Sequence, residues 1–154
     1  MYPYTKEKEG SMLMTDYTAE FLNLEDAIIT NVENIADQLH IHIELPRRNH
    51  VCPCCGSVTD RVHDYQIQVV KDVPLARDTF LHLRKRRYRC DCGKRFFEKN
   101  TFLPRYYRVT SRLVAEIIFA FKKVVSAKEI GCRFNVSGMT AMRYFQCYNH
   151  KPTE

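Results

Sequence analysis

The chain has 154 residues, 45% of them hydrophobic, enough for one sizeable core or two small modules and too many for wholesale disorder. It has no apolar run approaching about 18 residues and no basic-then-apolar leader, so neither a transmembrane helix nor a signal peptide is expected, and a cytosolic setting is expected. The formal net charge of +6 conceals two opposed regions: residues 1–46 carry 2 basic and 9 acidic side chains, and residues 84–112 carry 11 basic and 2 acidic. Charge concentrated in this way favours a polyanionic partner; neither a membrane nor a small-molecule substrate is expected.

The first 14 residues are polar and read as a disordered N-terminus. Residues 15–46 read as an acidic αβ platform. Within it, Tyr17, Phe21, Leu22 and Leu24 give Asp16 to Leu24 a short amphipathic helical pattern. Residues 27–34 and 39–45 are rich in Ile, Val and Leu. His40 to Leu45 alternates polar and apolar strictly, the signature of a half-buried strand, with His40 and His42 on its solvent face. Val58 to Tyr65, Ile67 to Val73 and Thr79 to Cys90 read as three strands, with a break near Pro74. From Thr110 the apolar period changes to helical: Leu113, Ile117, Phe121, Val124 and Val125 share one face. Ser126 with Glu129 forms a capping box for a second helix, Asn135 suits a left-handed stop, and Ser137 caps a third helix running to about Cys147.

Seven cysteines make an awkward disulfide framework, and a reducing compartment favours thiols as metal ligands. Two hooks stand out, Cys52-Pro53-Cys54-Cys55-Gly56 and Cys90-Asp91-Cys92-Gly93, with 34 residues between Cys55 and Cys90. A glycine after the last cysteine lets the chain turn through positive φ with its amides facing sulfur. Cys52, Cys55, Cys90 and Cys92 are the expected ligands of one structural Zn²⁺, with no position left open for catalysis. Replacement of one of them by His50 or Cys54 stays open, because the one-residue spacer at Asp91 is tighter than the common two. A redox pair fits less well, since Gly56 to Thr59 does not resemble a helix start. Cys132 and Cys147 lie at no ligand spacing and are expected in the core.

Ala127 to Phe145 carries helix-turn-helix spacings: a small Gly131 where helices cross, a turn at Asn135, Val136 at the corner, and Ala141 with Tyr144 or Phe145 inward. This nominates Ser137, Gly138, Met139, Thr140 and Arg143 for base edges. Arg84, Lys85, Arg86, Arg87 and Arg89 on the strand before Cys90, with Arg112, are nominated for phosphates. Neutralising about six phosphates predicts a log–log salt slope near −5.

The combination of Cys-Pro-x-Cys-Gly-Ser, Arg61-Val62-His63-Asp64-Tyr65, Val70-Lys71-Asp72-Val73-Pro74, Leu83 to Cys90 and Cys92-Gly93-Lys94-Arg95-Phe96 resembles the N-terminal zinc-binding domain of bacterial insertion-sequence transposases of the ISL-three family. Thr101 to Tyr106 and Thr110 to Leu113 carry the resemblance onward, over residues 15–150 in all. It implies binding to the terminal inverted repeats of a mobile element. It also implies a following RNase H-like domain with three carboxylates and divalent metal. After residue 112 the chain has only Glu116, Glu129 and Glu154, and two-metal chemistry needs carboxylates converging on ions about 4 Å apart. No catalytic residue is therefore expected.

The fold expected is α+β: a zinc ribbon-like β domain over 47–104 with the N-terminal αβ extension, then a three-helix helix-turn-helix domain over 105–150 and a truncated tail at 151–154. The function expected is a DNA-binding, non-catalytic transposase fragment on double-stranded transposon ends, able to form a homodimer. A free-standing zinc-containing transcription regulator, and a protein-interaction module dimerising through the acidic N-terminal part, are the competing readings.

Overall fold

The structure, a computed structural model, describes residues 24, 26–103, 108–123 and 125–149. The expected disordered N-terminus, the tail and the amphipathic helix (apart from Leu24) lie outside the described residues. Among the described residues, seven strands and three helices follow in order: β1 (Ile28–Ile35), β2 (Gln38–Glu44), β3 (His50–Val51), β4 (Val58–Thr59), β5 (Val62–Asp72), β6 (Thr79–Arg89), β7 (Arg95–Phe97), α1 (Ser111–Phe121), α2 (Ala127–Phe134) and α3 (Gly138–Asn149).

The main sheet has the order β1-β2-β6-β5, with β7 also paired to β6, and β3 and β4 form a separate two-stranded ribbon. β1 and β2 are joined through Ala36 and Asp37, both at positive φ, as a two-residue hairpin turn requires. β2 then pairs with β6 in parallel, Ile41 opposite Leu81 and Ile43 opposite Leu83. The sheet therefore runs across the expected platform boundary at residues 46 and 47. Leu24, Ala27, Ile29, Ile41, Ile43, Val70, Leu81, Leu83, Phe102 and Leu103 make one core on its inner face.

The two strands expected between Val58 and Val73 are divided differently. Val58–Thr59 belongs to the small ribbon, while Val62–Asp72 is one unbroken strand with a bulge near His63. Gln66 lies inside it, opposite Lys85, because nothing at that position supplies a turn.

The helices form a second core of Val109, Leu113, Ile117, Ala120, Ile130, Phe134 and Ala141, with Val73, Val125, Val136 and Tyr144 packed against it. Thr110 caps α1 by accepting from Leu113 N–H, and Ser126 caps α2 by accepting from Glu129 N–H. α1 ends at Phe121, so Val125 joins the core from beyond the helix. Asn135 ends α2 at φ 48, and α3 runs to Asn149, slightly past the expected end. A Cβ on Gly131 would stand 2.7 Å from the Val136 carbonyl oxygen, so close crossing of α2 and α3 depends on that glycine. Cys132 and Cys147 are exposed rather than in the core. Cys132 lies two residues beyond buried Ile130, roughly 200° around the helix, and so points outward. Among the described residues no helix is long and apolar enough to cross a membrane.

Candidate metal centre and basic surface

The two cysteine hooks fold into near-copies of one turn. In the first, Cys52 N–H donates to Ser57 carbonyl at 2.8 Å and Gly56 N–H donates to Cys52 carbonyl at 3.0 Å. In the second, Cys90 N–H donates to Lys94 carbonyl at 3.0 Å and Gly93 N–H donates to Cys90 carbonyl at 3.0 Å. The same two bonds form with one residue fewer, and Gly56 at φ 75 and Gly93 at φ 85 supply the left-handed step in each. The single spacer Asp91 is thus accommodated by tightening the turn, and Arg61 Nη1 pairs with its carboxylate at 2.5 Å.

The turns meet because β5 and β6 are antiparallel and bring the ends of the hairpin together. Arg89 N–H donates to Arg61 carbonyl at 2.9 Å, and Thr59 Oγ1 donates to Arg89 carbonyl at 2.9 Å. The sulfurs of Cys52, Cys55, Cys90 and Cys92 all lie within 4.8 Å of one another, the one such group among the described residues. Cys52 and Cys92 Sγ are 3.6 Å apart, and Cys55 and Cys90 Sγ 3.5 Å. Four thiolates at the Zn–S bond length of about 2.3 Å define a tetrahedron with edges near 3.8 Å, so the spacing fits zinc. Each turn contributes one buried sulfur residue, Cys52 or Cys90, and one exposed, Cys55 or Cys92.

The protonation of these thiols also favours a cation. The Ser57 hydroxyl and N–H hold the Cys55 thiol down to about 6. Lys94 N–H pulls the Cys92 thiol down, but Cys55, burial and the two remaining sulfurs outweigh it and push it up to about 12. Four sulfurs packed this closely resist sharing negative charge, and Zn²⁺ at their centre removes the conflict. Four protein ligands leave no open position for water, so the ion's contribution is structural.

The two alternatives to this ligand set lie elsewhere. Cys54 is exposed and outside the sulfur cluster. The His50 ring packs at a tilt against Tyr88 with centroids 4.4 Å apart, and burial lowers its pKa. His40 and His42, expected on the solvent face, are half-buried there beside His82. His40 Nδ1 and His82 Nε2 are 2.8 Å apart, and His42 Nε2 is 3.3 Å from Glu33.

The basic strand divides into groups with different neighbours. Arg84 is exposed and lies over the Tyr65 ring at 4.0 Å, with Glu44 at 3.4 Å. Arg89 is exposed. Lys85 donates to Gln68 Oε1 at 3.2 Å and lies 5.4 Å from the Phe97 ring; burial lowers its pKa. Arg87 grips Asp64 through both Nε, at 2.8 Å, and Nη2, which holds the Asp64 carboxyl below its usual range.

Two expected phosphate contacts are engaged inside the fold. Arg86 is buried between Glu98 and Glu44 and donates to the Leu45 carbonyl. Arg112 grips the fully buried Asp72 carboxylate, Nε at 2.6 Å and Nη2 beside the second oxygen. Strand alternation placed Arg86 on a charged row, but the acids that bury it come from β2 and from just beyond β7.

In the helices, Ser137 is exposed and its Oγ accepts from Thr140 N–H at 3.0 Å. Met139 is 77% exposed, Arg143 is exposed, and Gly138 and Thr140 are half-buried. Sequence reasoning passed over Tyr65 and Phe97, the aromatic partners of the basic strand; alternation of Tyr65 with Ile67 and Val69 along β5 was the available signal.

Residues 48–93 match the family model described as the zinc-finger of transposase IS204/IS1001/IS1096/IS1165. Over 77 residues the chain is 34% identical to the transposase for insertion sequence element IS1001 from Bordetella parapertussis, a stretch covering 49% of this chain and 19% of that protein. The chain thus spans less than a fifth of that curated relative. No solved structure matches it.

Proposed function

We propose that this chain, whose residues 48–93 match the zinc-finger model of the IS204/IS1001/IS1096/IS1165 transposases, is the DNA-binding portion of a transposase, which recognises the terminal inverted repeats of its element in the bacterial cytosol. The observation that carries the reading is the family match over residues 48–93, a span that contains four cysteines whose sulfurs have zinc spacing. In this reading α2 and α3 act as a helix-turn-helix. α3 enters the major groove, and Ser137, Gly138, Met139, Thr140 and Arg143 meet the DNA at its N-terminal half. Arg84, Lys85, Arg87 and Arg89 contact phosphates, and Arg86 and Arg112 are withdrawn from that role because their charges are matched by buried carboxylates. Binding, not strand cutting, is the role assigned to these residues.

Footprinting of the zinc-loaded chain on element ends tests the assignment. Protection of the terminal repeats is expected. With Arg84, Lys85, Arg87 and Arg89 as the phosphate contacts, the log–log salt slope should be about −4 rather than −5. Protection of a promoter alone would favour the regulator, and an affinity indifferent to salt would overturn the DNA reading.

A further inference from the structure

The last turn of β5 and the first residues after it do more than close a hairpin. Lys71 is buried, and its ammonium donates to the Asn135 carbonyl at 2.9 Å and stands 3.3 Å from Asp78. Asn135 Nδ2 donates back to Asp78 Oδ2 at 2.5 Å. Asn135 is the left-handed residue that ends α2, where terminal carbonyls lack helical partners and the helix dipole presents its negative end. A buried cation there serves both needs. Lys71 also exchanges backbone bonds with the start of the helical region, its N–H donating to Arg108 carbonyl at 2.9 Å and its carbonyl accepting from Thr110 N–H at 3.0 Å. Next to it, Asp72 accepts from Thr110 Oγ1 at 2.6 Å and holds Arg112, while Val73 enters the helical core.

We propose that Lys71 and Asp78 are positioning residues that pin the α2–α3 turn to the sheet, so that α3 and the zinc turns act on DNA as one rigid body. The spacer between them is the β5–β6 hairpin. It carries the zinc turns at its open end and the helices at its closed end, and its strands have 11 residues each. At about 3.3 Å per residue that is roughly 35 Å, the length of one turn of B-DNA. A clamp at the closed end converts this length into a fixed register between two contact regions. The DNA part of this inference rests on the reading given under Proposed function; the clamp itself does not.

Two measurements on the zinc-loaded full chain separate them. Without DNA, amide relaxation should give one correlation time for sheet and helices in the wild type and in Lys71→Arg. In Lys71→Met, Asp78→Asn and the milder Asn135→Gly, which keeps the left-handed turn but removes the amide, the helical amides should tumble faster than the sheet. A single correlation time in all variants would overturn the clamp. With DNA, inserting half a helical turn between the two protected regions should weaken the wild type strongly and the variants little. The variants should bind the native spacing about tenfold more weakly, since affinity scales with the fraction held in the competent arrangement. Equal sensitivity to the insertion in wild type and variants would also overturn it. Absence of any wild-type binding would refute the DNA reading and leave the relaxation result to decide the clamp.

Discussion

Arg86→Met separates a charge that holds the fold from the charges proposed to meet DNA. Arg86 lies within 3.5 Å of Glu98 through Nη1 and 3.4 Å of Glu44 through Nη2, and Glu98 is 4% exposed. Removing one member of a buried pair costs about 3–5 kcal/mol, because the other charge is left without its partner. Some compensation remains. Glu98 still accepts from the Arg86 backbone N–H at 2.8 Å, Arg84 remains 3.4 Å from Glu44, and the methionine stem preserves packing. The loss should therefore sit at the low end, about 3 kcal/mol. With a urea slope of about 2 kcal/mol/M, the unfolding midpoint should fall by about 1.5 M. Denaturation is followed by circular dichroism at fixed free Zn²⁺, since metal binding itself shifts apparent stability. The double variant Arg86→Met with Glu98→Gln should recover most of the loss, since the amide oxygen can still accept from the buried Arg86 backbone N–H while no unpaired charge is left inside. A midpoint unchanged by Arg86→Met, or a DNA salt slope shallower by about one with stability intact, would refute this account and return Arg86 to the phosphate-binding set.

Other outcomes follow from the same structure. Chelation should unfold the central module. Zinc supplies about 10–16 kcal/mol in zinc-finger peptides, as much as the whole stability of a typical domain. Metal analysis should give one zinc per chain in the wild type and in Cys54→Ser and a loss in Cys92→Ser; retention in the latter would refute the ligand set. Gly131→Ala should destabilise, because overpacking costs about 1–3 kcal/mol and exceeds the helix propensity gained, and a raised melting temperature would contradict the close crossing. His82 has a lowered pKa, caused by burial and then by His42 and His40, so the unfolded chain binds its proton more readily. Its contribution to stability is complete above the unfolded value near 6.5 and is lost as pH falls below it. His82→Asn should flatten the stability profile between about pH 7 and 5 relative to wild type, and parallel profiles would count against this.

Features made by neighbours in sequence were legible, and features made by register were not. Each cysteine turn is closed by its own glycine, and the caps of α2 and α3 are hydroxyls three residues before the N–H they accept from, so short patterns sufficed. The same applies to Asn135, whose tolerance of left-handed backbone marks the end of α2. The parallel pairing of β2 with β6 joins residues about 40 apart across the first cysteine turn, and no local signal announces it. That pairing sets Glu44 opposite Arg84 and beside Arg86, and so decides which charges of the basic strand remain available. Alternation alone treated Arg84 and Arg86 as equals, since both lie on one face; Glu98, entering from beyond β7, distinguishes them.

The β5–β6 hairpin is where these two kinds of information meet. Its alternating sequence identifies strands, but its ends carry different consequences. At the open end the antiparallel pairing brings the cysteine turns together, and zinc stabilises what local turns alone would leave marginal. At the closed end Lys71, Asp72 and Val73 fasten three different parts of the helical region: the α2 terminus, the α1 start and the helical core. A residue that looks like one more positive charge in a basic protein, Lys71, is therefore sealed against a helix end and a carboxylate. Net charge overstates what the chain can offer a polyanion. Arg86, Arg112 and Lys71 each answer a carboxylate within the fold, and the charge left for a polyanion is carried by fewer residues than the composition suggests.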